Sequence, residues 1–481
     1  MALKTGQDYI ESLRKLNPRV YALGQEIKNV ADHPLTRPHV NCAAMTYEIA
    51  HIPLHSGVTT ATSHITGARI NRFTHIHLGT GDLVAKVKVL RALGQMTGTC
   101  FQRCVGWDAL NALYSVTYEM DQKDGTDYHQ RLTQFLAYVQ ENDLMPDGGM
   151  TDPKGDRSLS PSKQPDPDVY LHVVDRNPQG IVVRGAKAHQ TGAVNSHEII
   201  VMPTVAMGPG DSEYAVSFAV PADAEGVVHI FGRQANDSRR LEGGEGIDLG
   251  NARYGTVGGE ALIIFEDVFV PHERVFMCGE YEFSGMLVDR FASLHRQNYG
   301  ACKGGVADVL IGAASLMAEY NGAGKASHVR DKLTEMVHLA ETAYAGSIAC
   351  SAEGIPTASG AYLPDPLLAN TVKLNITRFV YELARLAHDI AGGILATLPS
   401  EMDLKGPWGK HLEKYLRGAA AGDAVDRIRV ARLIEGMTSP NCLVECMHGA
   451  GSPQAQRIQI LRQARLEHKQ ALAKRIAGVD S

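Results

Sequence analysis

PDGGMTDPKGDRSLSPSKQPDPD, residues 146–168, divides the chain. It is polar and dense in Gly, Pro and Asp, so no α-helix runs through it. On its N-terminal side the pattern is mostly helical. Val89, Leu93, Met96, Cys100, Cys104, Trp107, Leu110, Leu113 and Val116 recur at spacings of three and four in a segment without Pro. That series predicts a long buried helix carrying both cysteines, with Gly94, Gly98 and Gly106 as its weak points. On the C-terminal side follow short β-rich runs between turn residues, among them VYLHVV, GIVVRGAKA, HEIIVMPTVAM and ALIIFEDVFVP. Beyond Tyr281 the chain becomes helical again, with long apolar-periodic segments at residues 308–320, 329–345, 367–391 and 424–434. Ala- and Gly-rich faces there (GAASLMA, AAAGDA, AGGILA) permit close helix or subunit packing. The expected class is α+β: an N-terminal helical domain at 1–147, a middle, mostly antiparallel β domain at 148–278, and a C-terminal bundle of long helices at 279–481.

Length and charge set outer bounds. A chain of 481 residues with 44% hydrophobic content can bury several cores. The formal charge of -6 gives no reason to expect nucleic acid or an anionic membrane as partner. The N-terminus lacks the apolar core of a signal peptide, and Thr5 with Asp8 forms the pattern of a capping box. The longest apolar run, residues 309–318, is far short of the roughly 20 residues that span a bilayer. A cytoplasmic protein with no membrane association is expected. Eight cysteines in this length make no disulfide scaffold, so reduced thiols or metal ligands are expected instead.

Two stretches concentrate possible ligands. GTCFQRCVGWDAL holds Cys100 and Cys104, and MLVDRFASLHRQNYGACKGGVA, residues 286–307, holds His295 and Cys302. Residues four apart on a helix share a face, and seven residues make nearly two turns. Three thiols and one imidazole can therefore converge from two helices. Seven helical residues also rise roughly 10 Å, a separation that a polynuclear cluster tolerates better than zinc, unless the helix breaks at Gly300. Spacing alone leaves zinc and a 4Fe-4S cluster both open. It equally allows buried structural cysteines, and Cys442, Cys446 and His448 have the same local look.

The element order, the residues 150–157 (MTDPKGDR) and the stretches CFQRC, RGAKAHQTGAVNSHE, HRQNYGACK and MHGAGSPQAQR together resemble the 4-hydroxyphenylacetate 3-hydroxylase family, whose fold is acyl-CoA dehydrogenase-like. Within it they resemble the cluster-bearing 4-hydroxybutyryl-CoA dehydratases, over residues 9–478. The resemblance implies FAD between the β domain and the bundle, and a 4Fe-4S cluster on Cys100, Cys104, His295 and Cys302. It sets aside Cys442 and Cys446, which match no ligand position. The implied activity is radical dehydration of 4-hydroxybutyryl-CoA to crotonyl-CoA with vinylacetyl-CoA isomerisation, in a homotetramer. His295 would serve both as ligand and as base for the C2 proton, with Glu260, Glu445, Tyr299 and Lys303 around the substrate. Met150, Thr151, Asp152, Pro153, Lys154, Gly155, Asp156 and Arg157, with His189, Gln190 and Thr191, would contact the flavin. No GxGxxG within a strand–helix unit is present to hold it otherwise. Other readings to weigh are an FAD-dependent aromatic hydroxylase, an isomerase without dehydratase activity, and a cluster protein devoted to electron transfer. Residues 403–421 are shorter than the resemblance leads one to expect, which bears on subunit contacts.

Overall fold

The structure is a computed structural model that describes residues 3–419 and 422–479. Its first helix, Gly6–Leu13, starts with the expected capping box: Thr5 accepts from the Asp8 backbone N–H, and the Thr5 N–H donates to the Asp8 carboxylate at 2.9 Å. Two sheets form the middle of the molecule. One runs in the order Gln25–Ile27, Arg19–Ala22, Val227–Phe231, Glu260–Pro271, Gly180–Thr191, His172–Asn177; the other runs Val275–Cys278, Val216–Pro221, Glu198–Val201, Pro146–Gly149. All pairings are antiparallel except Arg19–Ala22 with Val227–Phe231 and Pro146–Gly149 with Glu198–Val201. The strands Arg19–Ala22 and Gln25–Ile27 come from the stretch that the sequence marks as mostly helical. They are too short for a period of two to stand out, although Val20 and Ala22 do alternate inward.

The helix Ser284–Tyr320 is the spine of the bundle. It packs against Thr80–Thr97, Cys104–Asp124, Ser327–Ala352, Pro366–Ala391 and Ala424–Met437. From Tyr281 onward it is long and apolar enough to cross a membrane by composition, but here its apolar side is covered by those neighbours. It stays helical through Gly300.

The single long helix expected to carry both cysteines is two helices. Thr80–Thr97 ends at Gly98, which caps it in the left-handed region at φ 65° with its N–H on Gly94 O. The second helix begins at Cys104, and between them Gln102 is also left-handed at φ 71°. Cys100 therefore sits in a turn rather than one helical turn before Cys104. The apolar periodicity runs across the break although the second helix is buried all round from Cys104 to Thr117.

Close backbone approach fixes these elements. A Cβ on Gly94 would stand 2.5 Å from Cys302 O, and one on Gly305 would stand 2.1 Å from Arg91 O. A Cβ on Gly106 would meet Pro146 O at 2.0 Å. Residues 403–421 contain two short helices, Glu401–Lys405 and Gly409–Leu416, with Trp408 and Tyr415 exposed. Ala420 and Ala421, part of the AAAGDA face, lie outside the described residues. Gly94→Ala should lower stability by about 1–3 kcal/mol through forced separation of the two helices, seen as a lower thermal unfolding midpoint. Gly57→Ala, where nothing lies within 4 Å, should leave the midpoint unchanged; equal midpoints for both variants would remove the packing argument.

Candidate active site

The turn 98–103 presents Cys100 to a cavity lined also by Lys303, Glu445, Thr256 and the apolar side chains of Leu310, Val380, Leu383 and Met437. The turn is held from both sides. Gln102 is buried, accepts from Asn195 Nδ2 at 2.8 Å and donates to His39 O at 3.1 Å. Arg103 is fully buried, donates to Asp143 Oδ1 at 2.8 Å and stacks 3.8 Å from the Tyr47 ring. Neither residue stands out in the sequence, because their partners lie 40 and more residues away.

Burial raises the thiols of Cys100 and Cys104 well above the ordinary cysteine value, and raises Cys302 to about 11. The charge of Cys302 bears on both Cys100 and Cys104, and that of Cys100 on Cys104. Among the described residues no three His, Cys, Asp or Glu side chains are gathered tightly enough for one metal ion. His295 lies on the long helix, seven residues before Cys302. Its Nδ1 lies 2.8 Å from Asp108 Oδ2, and its ring is flanked by Phe291, stacked at 5.5 Å, and by Tyr299, edge-on at 5.7 Å. The look-alike cysteines line the same cavity, where Cys442 donates to Thr256 O at 3.0 Å and Cys446 lies 3.5 Å from Glu445 Oε2.

A paired charge sits beside the cavity. Lys303 Nζ donates to Glu445 Oε2 at 2.5 Å, and Tyr299 OH donates to Glu445 Oε1 at 3.1 Å. Burial works against both charges, but Lys303 is raised by Cys446 first and then by Glu445, Cys302 and Cys100, and Glu445 is lowered chiefly by Lys303. Lys373 was not apparent from sequence. It is buried 4.0 Å from the Tyr299 ring, donates to Cys446 O, and is pulled down to about 7 by burial. Glu260 is pushed up to about 7 by burial first and by the Glu445 charge second. It lies 3.5 Å from Thr191 Oγ1. Gly258 explains how: a Cβ there would stand 2.3 Å from Thr191 Cγ2 and 3.1 Å from Cys100 Sγ. Glu260, Thr191 and Cys100 therefore meet around one glycine.

The loop 150–157 divides into two groups. Asp152 is buried in an ion pair with Lys187 at 2.9 Å, and Gln190 is buried on Thr151 O and Ala188 O. These two shape the loop from inside. Pro153, Gly155, Asp156, Arg157 and His189 are exposed, while Met150, Thr151, Lys154 and Thr191 are half-buried. Lys154 and His189 hold left-handed φ of 80° and 59°, a strain that collects where a backbone is shaped for a ligand. Lys154 Nζ bonds Thr204 at 3.2 Å and Asp156 bonds Ser158.

With this geometry in view, relatives can be compared. The N-terminal model of 4-hydroxyphenylacetate 3-hydroxylase matches residues 5–277, and the C-terminal model matches residues 284–478. The chain belongs to the 4-hydroxyphenylacetate 3-hydroxylase family. It is 56% identical to the 4-hydroxybutyryl-CoA dehydratase/vinylacetyl-CoA-Δ-isomerase of Clostridium aminobutyricum, over 99% of this chain and 100% of the relative. A solved oxygen-tolerant archaeal 4-hydroxybutyryl-CoA dehydratase from N. maritimus superposes with a TM-score of 0.97 at 52% identity, over 100% of this chain and 96% of that one. The oxygenase component of 4-hydroxyphenylacetate 3-monooxygenase, solved with FAD, superposes at 0.84 and 26% identity over 99% of both chains. The family's acyl-CoA dehydrogenase-like α+β arrangement, expected from the element order, is the one present.

Infrared difference spectra should show a protonated carboxyl that titrates at about 7 and vanishes in Glu260→Gln. The acid form dominates below that pH and is lost as pH rises through it. Glu445→Gln removes the like charge and should move the titration to lower pH; an unmoved band would mean that the two carboxyls do not interact.

Proposed function

We propose that this chain dehydrates 4-hydroxybutyryl-CoA to crotonyl-CoA and isomerises vinylacetyl-CoA to the same product, with FAD and a 4Fe-4S cluster on Cys100, Cys104, His295 and Cys302. The observation that supports this reading is Cys100 on a cavity wall that also holds Lys303 and Glu445, with Cys302 close enough to bear on the charge of both Cys100 and Cys104. Buried thiols with raised pKa become thiolates when a cationic cluster supplies the opposing charge. The donor set therefore suits iron and sulfide. Exposed Gly155 and His189, with half-buried Thr151 and Thr191, offer an edge suited to FAD, with Thr191 next to Glu260 and Cys100.

The chemistry is demanding because the hydrogen to be lost from C3 is not acidified by the thioester, whereas that on C2 is. When bound, the flavin supplies one-electron oxidation and its reversal, and the cluster iron supplies a Lewis acid for the leaving hydroxyl. The protein groups do the rest. His295 takes the C2 proton at Nε2. Protonated Glu260 is a proton donor near neutral pH, and Tyr299 with Glu445 orients the leaving oxygen. Lys303 offsets negative charge at the thioester carbonyl. The apolar cavity wall admits a short acyl chain and excludes water. Exposed apolar side chains at Trp408, Tyr415, Leu461 and Ile476 suit burial between copies of a cytoplasmic homotetramer.

Anaerobically purified protein should contain about four irons and one FAD per chain, the content of a 4Fe-4S flavoprotein. Cys302→Ala should lose iron and activity while remaining folded, and full iron content in that variant would reject the ligand assignment. Replacing His295 should abolish dehydration of 4-hydroxybutyryl-CoA and isomerisation of vinylacetyl-CoA together. Surviving isomerisation would deny it the role of base, and wild-type isomerisation without dehydration would reduce the function to isomerase.

A further inference from the structure

Asp108 is wholly buried on the helix Cys104–Asp124, four residues after Cys104. Its Oδ1 forms an ion pair with Lys86 Nζ, which is also wholly buried and donates to Leu294 O at 3.1 Å. Its Oδ2 lies 2.8 Å from His295 Nδ1 and 2.6 Å from Asn298 Nδ2. One carboxylate thus joins three helices, and every contact it makes is with a donor.

An ion-paired carboxylate accepts hydrogen bonds and offers none. Nδ1 of His295 must then carry the proton. A neutral imidazole has one N–H, so the lone pair is on Nε2. Phe291 and Tyr299 on either side of the ring keep it from turning away. Asn298 cannot substitute as acceptor where its Nδ2 faces Asp108, and its Oδ1 has no partner.

We propose that Asp108, backed by Lys86, is the positioning residue of His295: it holds the proton on Nδ1 and so leaves the lone pair on Nε2. The inference rests on the reading of His295 as ligand and base for what Nε2 then meets. The same lone pair serves iron or a substrate C–H proton, but not both at once. When Nε2 takes a proton, the ring keeps its Nδ1–H bond to the Asp108 carboxylate. The arrangement lets one side chain alternate between the two roles without reorienting.

Asp108→Asn with Lys86 intact tests this. Lys86 will draw the amide oxygen, so the amide NH₂ faces Nδ1 and forces the proton onto Nε2. Solid-state ¹⁵N spectra of histidine-labelled protein, with the His295 signal identified by its absence in His295→Gln, should show Nδ1–H in the parent and Nε2–H in the variant. Iron should leave the variant to a chelator ~10–100-fold faster, the usual effect of losing a ligand's hydrogen-bonded carboxylate. Should Asp108→Asn fail to fold because Lys86 is left unbalanced, Asp108→Leu with Lys86→Met removes both charges and the acceptor. It should lose the Nδ1–H preference and show the same faster iron release. Nε2–H in the parent, or parental spectra and iron retention in the folded variants, would overturn the proposal. A parent without iron would instead sink the proposed function, and the ring spectrum alone would then decide the role of Asp108.

Discussion

The crossing of Thr80–Thr97 on Ser284–Tyr320 sets the distances at the site. Gly94 and Gly305 let the two backbones approach until no Cβ fits between them, and the contact atom opposite Gly94 is the carbonyl of Cys302. Arg91 fixes the register from outside, reaching Asp308 at 3.0 Å. Four residues beyond Gly94 the helix ends at Gly98 and the chain turns into Cys100. The separation of Cys302 from the CFQRC turn is therefore a property of helix packing. The second close contact, Gly106 on Pro146 O, seats the helix of Cys104 on the strand that leads into residues 150–157. Two glycine contacts tie together the bundle, the cysteine turn and the β layer.

Buried ion pairs carry the finer placement. Lys86–Asp108, Arg103–Asp143, Lys187–Asp152 and Lys303–Glu445 each join segments distant in sequence, and each is largely or wholly shielded from water. Desolvation cancels much of the gain from such pairs, so they are poor sources of net stability. What they give is orientation, because a buried charge tolerates few arrangements in which all its partners are met. Lys187–Asp152 is an instance: the loop that faces outward at Gly155 is shaped by an ion pair beneath it.

Much of this was legible in the sequence. The Gly-, Pro- and Asp-rich stretch at 146–168 marks the change from helix to sheet, the long helices follow their apolar period, and Thr5 with Asp8 announces the first helix. The break between Cys100 and Cys104 was not, because left-handed Gln102 has no local signature and the apolar period runs on through it. The roles of Lys86 and Asp108 were hidden for a different reason: Asp108 is 187 positions from His295, and nothing local links a helical Asp to a distant ring. Spacing alone left zinc and a cluster both open and favoured plain buried thiols over either. The resemblance is what pointed to the cluster.

The cavity has two unlike ends. Its wall of Leu310, Val380, Leu383 and Met437 has no hydrogen bond to offer, while Lys303 and Glu445 form a neutral pair beside Cys100. A paired lysine exerts little field on a neutral ground state, yet it can shift toward negative charge that develops on a thioester oxygen. Glu260, held near 7 by burial and by Glu445, keeps a proton available next to Thr191. In the proposed reaction base, acid and cation thus surround the acyl chain without leaving a net charge in the empty cavity. That balance suits an uncharged acyl group whose charge appears only as bonds change, since interactions that strengthen along the reaction are the ones that accelerate it.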